Sequence, residues 1–415
     1  MVRAFFVALV LALGTNAKPA SPPQEPAPTP VPRHVLAVFF PELGPGSDLA
    51  RVDPLTLKPS ARPLRLAGGS AWITTVSPDR TKLALSGGLG VASVELVDVR
   101  RMRSLGVVDL KMDGELRFLS WEKQLLAVVD DYERRAVVAI DPRSLTVLER
   151  HPLDGTILQV ERGAAGQVVL LLGPKQGIGQ LRLAVVGGEG MTVTPIPQVT
   201  GGSSVQRDGD DVHAREVIPA LVVDRAGRRA FVYEEGAVAE ISLVDLSATV
   251  HALSKPMSLV RRFRNWLEPE AQAKLVEGSY RSGKWIGDGR FAVSGTDFAE
   301  EESAPAGLVI VDTESWTLRK VADTASEVAV NDDTLLTFGY NTDEGIRGYD
   351  LAGNERFHLL RGESAWIQVA GGLAYAQIGE GERIAVIDTA TGRVLTKANV
   401  DQPVTLVDDP PTLPE

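Results

Sequence analysis

Cysteine is absent from all 415 residues. Disulfides, thiolate-bound zinc, cysteine-ligated iron–sulfur clusters, covalent c-type haem and cysteine nucleophiles are therefore excluded together, and any chemistry must use oxygen or imidazole. Imidazole is itself scarce. The five histidines, His34, His151, His213, His251 and His358, include no pair at metal-ligand spacing. Positive charge is in deficit: 43 basic residues face 54 acidic ones, and the net charge of -11 argues against bulk nucleic-acid binding. No Gly-x-Ser-x-Gly elbow supports a serine hydrolase, and no Gly-x-Gly-x-x-Gly supports a dinucleotide site. Gly278, Gly283 and Lys284 have the outline of a phosphate loop, but Trp285 stands where Ser or Thr is needed and the segment leads into a strand, not a helix.

Long apolar runs are missing too, apart from one at the N-terminus. Arg3 precedes an apolar run from Ala4 to Leu13, and small and polar residues follow through Thr15-Asn16-Ala17. Charged, apolar and cleavage regions in that order predict a secretory signal over 1–17 and a secreted, extracytoplasmic product. The run is too short to span a bilayer, which takes about 20 residues. The mature chain is thus expected to have no transmembrane segment. Pro19, Pro22, Pro23, Pro26, Pro28, Pro30 and Pro32 make residues 18–33 an extended, polyproline-like linker. The folded domain is expected over 34–415.

Glycine is plentiful, with 40 residues, and leans the composition towards turns and strands. A unit of apolar residues ending in Asp, followed by a turn and another alternating strand, recurs along the chain. Its turn positions are Asp53, Asp98, Asp141, Asp245, Asp312, Asp350 and Asp388, with Gly187 in a degenerate unit. The intervals are 45, 43, 46, 58, 67, 38 and 38 residues, close to the spacing of one four-stranded propeller blade. The second unit reads as strands Trp72–Val76, Lys82–Ser86, Val91–Asp98 and Ser104–Asp109. Such strands bury their apolar faces only against neighbouring units, so the stack must close into a ring.

The pattern predicts an all-β protein, a β-propeller of four-stranded blades, eight favoured and seven the alternative, with a small helical insertion. The units fall at about 34–66, 72–110, 115–151, 156–197, 217–253, 282–322, 325–360 and 365–398. The first lacks an inner strand, and Pro403–Val407 is expected to supply it. Ser70-Ala71-Trp72-Ile73 is repeated as Ser364-Ala365-Trp366-Ile367, with Trp285-Ile286 in the equivalent place of another unit. These tryptophans are expected to pack between blades.

Val386-Ile387-Asp388-Thr389-Ala390-Thr391-Gly392-Arg393-Val394 resembles the strand-turn-strand of YVTN-type, quinoprotein-like β-propeller repeats. Val311–Trp316 and Ser77–Arg80 resemble other parts of the same repeat. The resemblance covers the repeat register over roughly 34–407, and it implies a blade, not an activity. The Tyr-Val-Thr-Asn tetrapeptide itself is missing, as is the Trp-Asp dipeptide of the WD40-like propellers.

Two insertions interrupt the register. In the first, Asp208, Asp210 and Asp211 concentrate oxygen ligands that would suit calcium, although their spacing fits no EF-hand. Glu300-Glu301-Glu302 near Asp297 is a second acidic run, best read as a solvated face. In the insertion at about 254–280, Leu259, Phe263, Trp266 and Leu267 fall on one helical face, with Arg261, Arg262 and Arg264 around it. Residues 255–290 carry eight basic and four acidic side chains in an otherwise acidic chain. The plainer reading is a helical hairpin capping the rim. The functional one is a docking patch of Arg261, Arg262, Arg264 and Trp266 for an anionic partner.

A closed ring is a rigid platform for variable loops. The reading that follows is a secreted, non-catalytic binding or interaction scaffold, monomeric, meeting a protein or an envelope polymer. No cofactor is expected unless calcium occupies the acidic loop. The resemblance implies two alternatives: a lactonase-like hydrolase using a carboxylate-liganded metal, and a quinoprotein-like dehydrogenase. Both would work at the axial channel, and no residue of such a site maps onto this chain.

Overall fold

Short alternating runs become strands, and the recurrent aspartate becomes their turn. In the second unit Thr74–Val76, Lys82–Gly87, Val91–Asp98 and Arg103–Asp113 pair in order as one antiparallel sheet. At the turn after a third strand the carboxylate accepts main-chain N–H groups two or three residues on. Asp312 Oδ1 takes those of Glu314 at 3.0 Å and Ser315 at 2.8 Å, and the Ser315 hydroxyl at 2.8 Å. Asp53, Asp98, Asp141, Asp245, Asp350 and Asp388 do the same at their own turns. This is the side-chain mimic of a backbone turn that Asp favours. In the degenerate unit the strands Gly177–Gly187 and Gly190–Asp208 are paired through Gly187 and Gly190, so glycine replaces the capping carboxylate.

The structure, a computed structural model, describes residues 27–40, 46–67, 71–87, 91–131, 133–188, 190–208, 211–253, 278–299, 302–339, 343–379, 382–400 and 403–407. It is an all-β propeller arrangement. Among the described residues the helical content is one 3-10 turn, Ala164–Gly166. The core is a ring of apolar clusters, each seated between one unit and the next. Leu96 and Val108 meet Leu119 and Leu125 between the second and third units, and Leu171 and Leu183 meet Val232 and Ile241 between the fourth and fifth. The ring closes as expected of the chain ends. Val404–Val407 pairs antiparallel with Val35–Phe39, from Phe39 opposite Val404 to Leu36 opposite Val407. The closed sheet packs against Tyr375 and Val386 of the last unit on one side and Leu83 and Leu85 of the second on the other.

The expected blade count does not hold. Six four-stranded blades stand as separate sheets, against the eight expected or the alternative seven. The strands of the fourth and sixth units, Thr156–Arg162 to Gly190–Asp208 and Gly278–Gly287 to Thr317–Ala322, belong instead to one ten-stranded sheet. The cause is the first insertion. Asp211–Ile218 turns back along Gly190–Asp208, and its end pairs in parallel with the sixth unit, Val217 with Ser279 and Ile218 with Tyr280. The helical insertion is also corrected where it can be seen: its last residues, from Gly278, are strand. The remainder, with Arg261, Arg262, Arg264 and Trp266, lies outside the described residues.

The proline-rich segment ends in contact with the ring. Thr29 donates its hydroxyl to Asp388 Oδ1 at 2.7 Å and its backbone N–H to both carboxylate oxygens at 3.3 Å. A Cβ on Gly371, at φ 58°, would come within 2.7 Å of Pro32 Cγ.

Candidate functional site

The first strand of each unit lies innermost, and from the second unit round to Val404–Val407 each touches the next. Alternate residues of such a strand share a face. This places Gln159 and Glu161 together on Thr156–Arg162, and Tyr280, Ser282 and Lys284 together on Gly278–Gly287. Lys284 Nζ pairs with Glu161 Oε1 at 3.3 Å. The Gln159 amide donates to the Arg281 carbonyl at 3.1 Å, and its side chain also bonds to the Tyr280 hydroxyl. From Glu327–Asn331, the innermost strand of the seventh unit, Glu327 Oε2 accepts the Ser282 hydroxyl at 3.4 Å.

The fourth and sixth units are not neighbours. The fifth unit's Ala220–Val223 lies between their inner strands and touches both. Side chains that meet across it must therefore reach over its axial edge. Gly283 permits the close approach, because a Cβ there would stand 2.4 Å from Val222 Cγ2. On the other face of the same strand Arg281 pairs with Asp297 at 2.5 Å and donates to the carbonyls of Tyr280 and Thr296, both at 3.1 Å. That clamp fixes the backbone carrying Tyr280.

Burial dominates the electrostatics. It pushes the Tyr280 hydroxyl up to about 12, with the charges of Glu327 and Glu161 adding to the effect and the Gln159 bond opposing it. Burial also raises Glu327 above the usual carboxylate range, against the Ser282 hydrogen bond and the Lys284 charge. Ser294 stands opposite Ser282 in register, is 1% exposed, and its hydroxyl has no hydrogen-bond partner among the described residues. The cluster thus links two carboxyl groups, one ammonium, a phenol, an amide and hydroxyls from three inner strands and the strand next to one of them.

A cleft of about 640 Å³ lies elsewhere, among turns of the third to fifth units, lined in part by Glu122, Gln124, Gln167, Thr192 and the 81% exposed Val244. None of the axial residues named above lines it.

The residues singled out from sequence fall elsewhere. Asp208 and Asp211 face each other in backbone register at a hairpin end, and Asp210 lies outside the described residues. Among the described residues no three His, Asp or Glu side chains gather as metal ligands would. His251 stacks on Trp316 at 3.5 Å, and His358 bonds to the Glu344 carbonyl at 2.6 Å, in different units. Trp285 and Trp366 are half-buried and pack into clusters between units. Trp72 does not follow them: it is 57% exposed and lies flat on Phe40 at 3.9 Å. The axial residues were missed, although Tyr280-x-Ser282-x-Lys284 and Gln159-x-Glu161 are polar alternations on first strands.

No family model matches the chain, and no curated protein matches it. Solved structures similar to it are β-propellers. The dihydro-heme d1 dehydrogenase NirN is 13% identical at a TM-score of 0.56, covering 94% of this chain and 77% of that one. Apo AztD from Citrobacter koseri is 11% identical at 0.49, covering 90% and 98%. The β-propeller domain of Cps50 (Swd1) from Myceliophteria thermophila is 10% identical at 0.46, covering 81% and 88%. At these identities the likeness is one of fold.

Proposed function

We propose that the protein is an extracytoplasmic β-propeller acting as a binding scaffold without catalysis, and that it takes a ligand on its axis at Gln159, Glu161, Tyr280, Ser282, Lys284 and Glu327. The observation that carries this reading is convergence: polar side chains from units two apart meet on rigid inner strands, Lys284 with Glu161 at 3.3 Å. Few precisely aimed polar groups on a stiff frame are what recognition of a small polar ligand needs. Tyr280, held up to about 12, stays protonated at neutral pH and is placed to donate or accept a hydrogen bond, not to act as a base. The N-terminal pattern from Arg3 to Ala17 supports export.

The test is a thermal-shift screen of small polar compounds against the full chain and two variants, Glu327→Gln and Lys284→Met. Compounds that raise the melting temperature of the parent by several degrees should shift neither variant, since binding to the native state alone raises it. Equal shifts in all three proteins would place the ligand elsewhere. Turnover of any such compound would overturn the non-catalytic role.

A further inference from the structure

We propose that the axial cluster takes a primary ammonium group, the end of a small organic amine, seated against Glu327, Ser282 and Ser294. The inference rests on the axial-binding reading above and names the chemistry of its ligand. Its basis is a mismatch between donors and acceptors. The cluster has two carboxyl groups and one ammonium, and Lys284 is committed to Glu161 at 3.3 Å. Among the described residues Glu327 has the Ser282 hydroxyl at 3.4 Å as its hydrogen-bond donor, and the Lys284 charge reaches it without a direct ion pair.

Among the described residues, the strands packed against Glu327 bring no second cation to it. Thr334–Phe338 and Ala365–Ala370 have no ionisable side chain. On Arg290–Ala299, Arg290 bonds to the Leu351 carbonyl at 3.2 Å and Asp297 is held by Arg281. Beside Ser282 there is also a spare acceptor. Ser294, 1% exposed and without a partner among the described residues, is directly opposite Ser282, and paired residues of an antiparallel ladder project from the same face. An ammonium carries three donors and no acceptor, which matches a carboxylate flanked by two hydroxyls. Pairing with a cation would also restore the charged form that burial disfavours at Glu327. The net charge of -11 draws cations towards the protein.

The experiment titrates the full chain calorimetrically with n-butylamine and, as its uncharged counterpart, n-butanol, with calcium chloride as a third arm, all at one ionic strength. Butylamine should bind at least tenfold more tightly than butanol. Glu327→Gln should weaken the amine at least tenfold, Ser294→Ala should weaken it several-fold, and Asp113→Asn, a change at an exposed surface carboxylate, should leave it unaltered. Ser294→Ala keeps the test decisive should Glu327→Gln fail to fold. Equal binding of amine and alcohol, both lost in Glu327→Gln, would overturn the ammonium and leave the axial site standing. Binding of calcium with no binding of the amine would overturn it in favour of a metal. Amine binding indifferent to both variants would overturn the inference, and the screen above would then decide the axial reading separately.

Discussion

Asp388 shows how one repeated residue acquires two tasks. Like Asp53 it caps its own turn, accepting the Ala390 N–H at 3.1 Å and the Thr391 hydroxyl at 2.7 Å. Unlike Asp53 it is buried, 1% exposed, and also holds Thr29 from the proline-rich segment. Removing a buried carboxylate strands all its donors, whereas an exposed one leaves them to water. Asp388→Ala should therefore cost about 2–3 kcal/mol and Asp53→Ala about 1 kcal/mol, compared by urea unfolding of the two variants. Equal losses would show that the Thr29 contact adds nothing. At this scale the sequence was informative about turns, because the aspartate and its neighbouring Ser or Thr are local. It was silent on Thr29, which lies 359 residues from its partner.

Among the elements, the closing strand is the most consequential. Val404–Val407 supplies the innermost position of the first blade, and Phe40 N–H donates to the Pro403 carbonyl at 3.0 Å. Its unpaired edge is not left bare: Gln368 accepts the Leu406 N–H at 2.6 Å, and the Gln377 amide donates to the Val404 carbonyl at 3.2 Å. Both glutamines come from the last unit, so the strand is stitched to two sheets. Deleting residues 399–415 removes the buried Val404, Leu406 and Val407 and opens an edge, and should cost about 4–8 kcal/mol on the transfer scale for buried aliphatic side chains. Calorimetry would read this as a large fall in melting temperature; an unchanged melt would refute closure by this strand. The parallel bridge from Val217 and Ile218 to Ser279 and Tyr280 is the opposite case, two residue pairs that fuse two units into one sheet. No periodicity announces it, since its partners are separated by the whole fifth unit.

For the molecule as a whole, the turn carboxylates set the acid limit of stability. Hydrogen bonds from Thr56, Arg143 and Ser315 hold Asp53, Asp141 and Asp312 below the usual carboxylate range, and the hydroxyls of Ser242 and Ser247 hold Asp245 down to about 2. A carboxyl lowered by folding contributes stability above its unfolded value, about 3.9, and loses it as pH falls through the folded value. Tyr233 and Tyr280, both pushed up to about 12 by burial, act at the other end. Unfolded tyrosines ionise near pH 10, so stability drains away from there upward. Glu327 and Glu234, raised by burial, oppose the aspartates weakly from about pH 4.5 upward. The melting temperature should be nearly flat between about pH 5 and 9 and fall below about 4 and above about 10, as measured by scanning calorimetry. A decline beginning near pH 7 would refute this account.

The sequence by itself determined the strands, the turns and the closed ring. Each follows from information within a few residues: alternation, a carboxylate at the end of a third strand, and faces that find cover only against another unit. It also showed which segment was left over to complete the first blade. The tertiary structure decided everything that depends on units two apart. Gln159, Glu161, Tyr280, Ser282, Lys284 and Glu327 come together in one cluster because inner strands of different units lie side by side, and Gly283 lets two strands come close. Which polar residues reach that axis depends on strand rotation and on the position of the fifth unit. The same holds for Trp72, whose tetrapeptide recurs at Trp366 while its exposure does not. Local repetition fixes what each unit is, and only the packing of the ring fixes what each side chain meets.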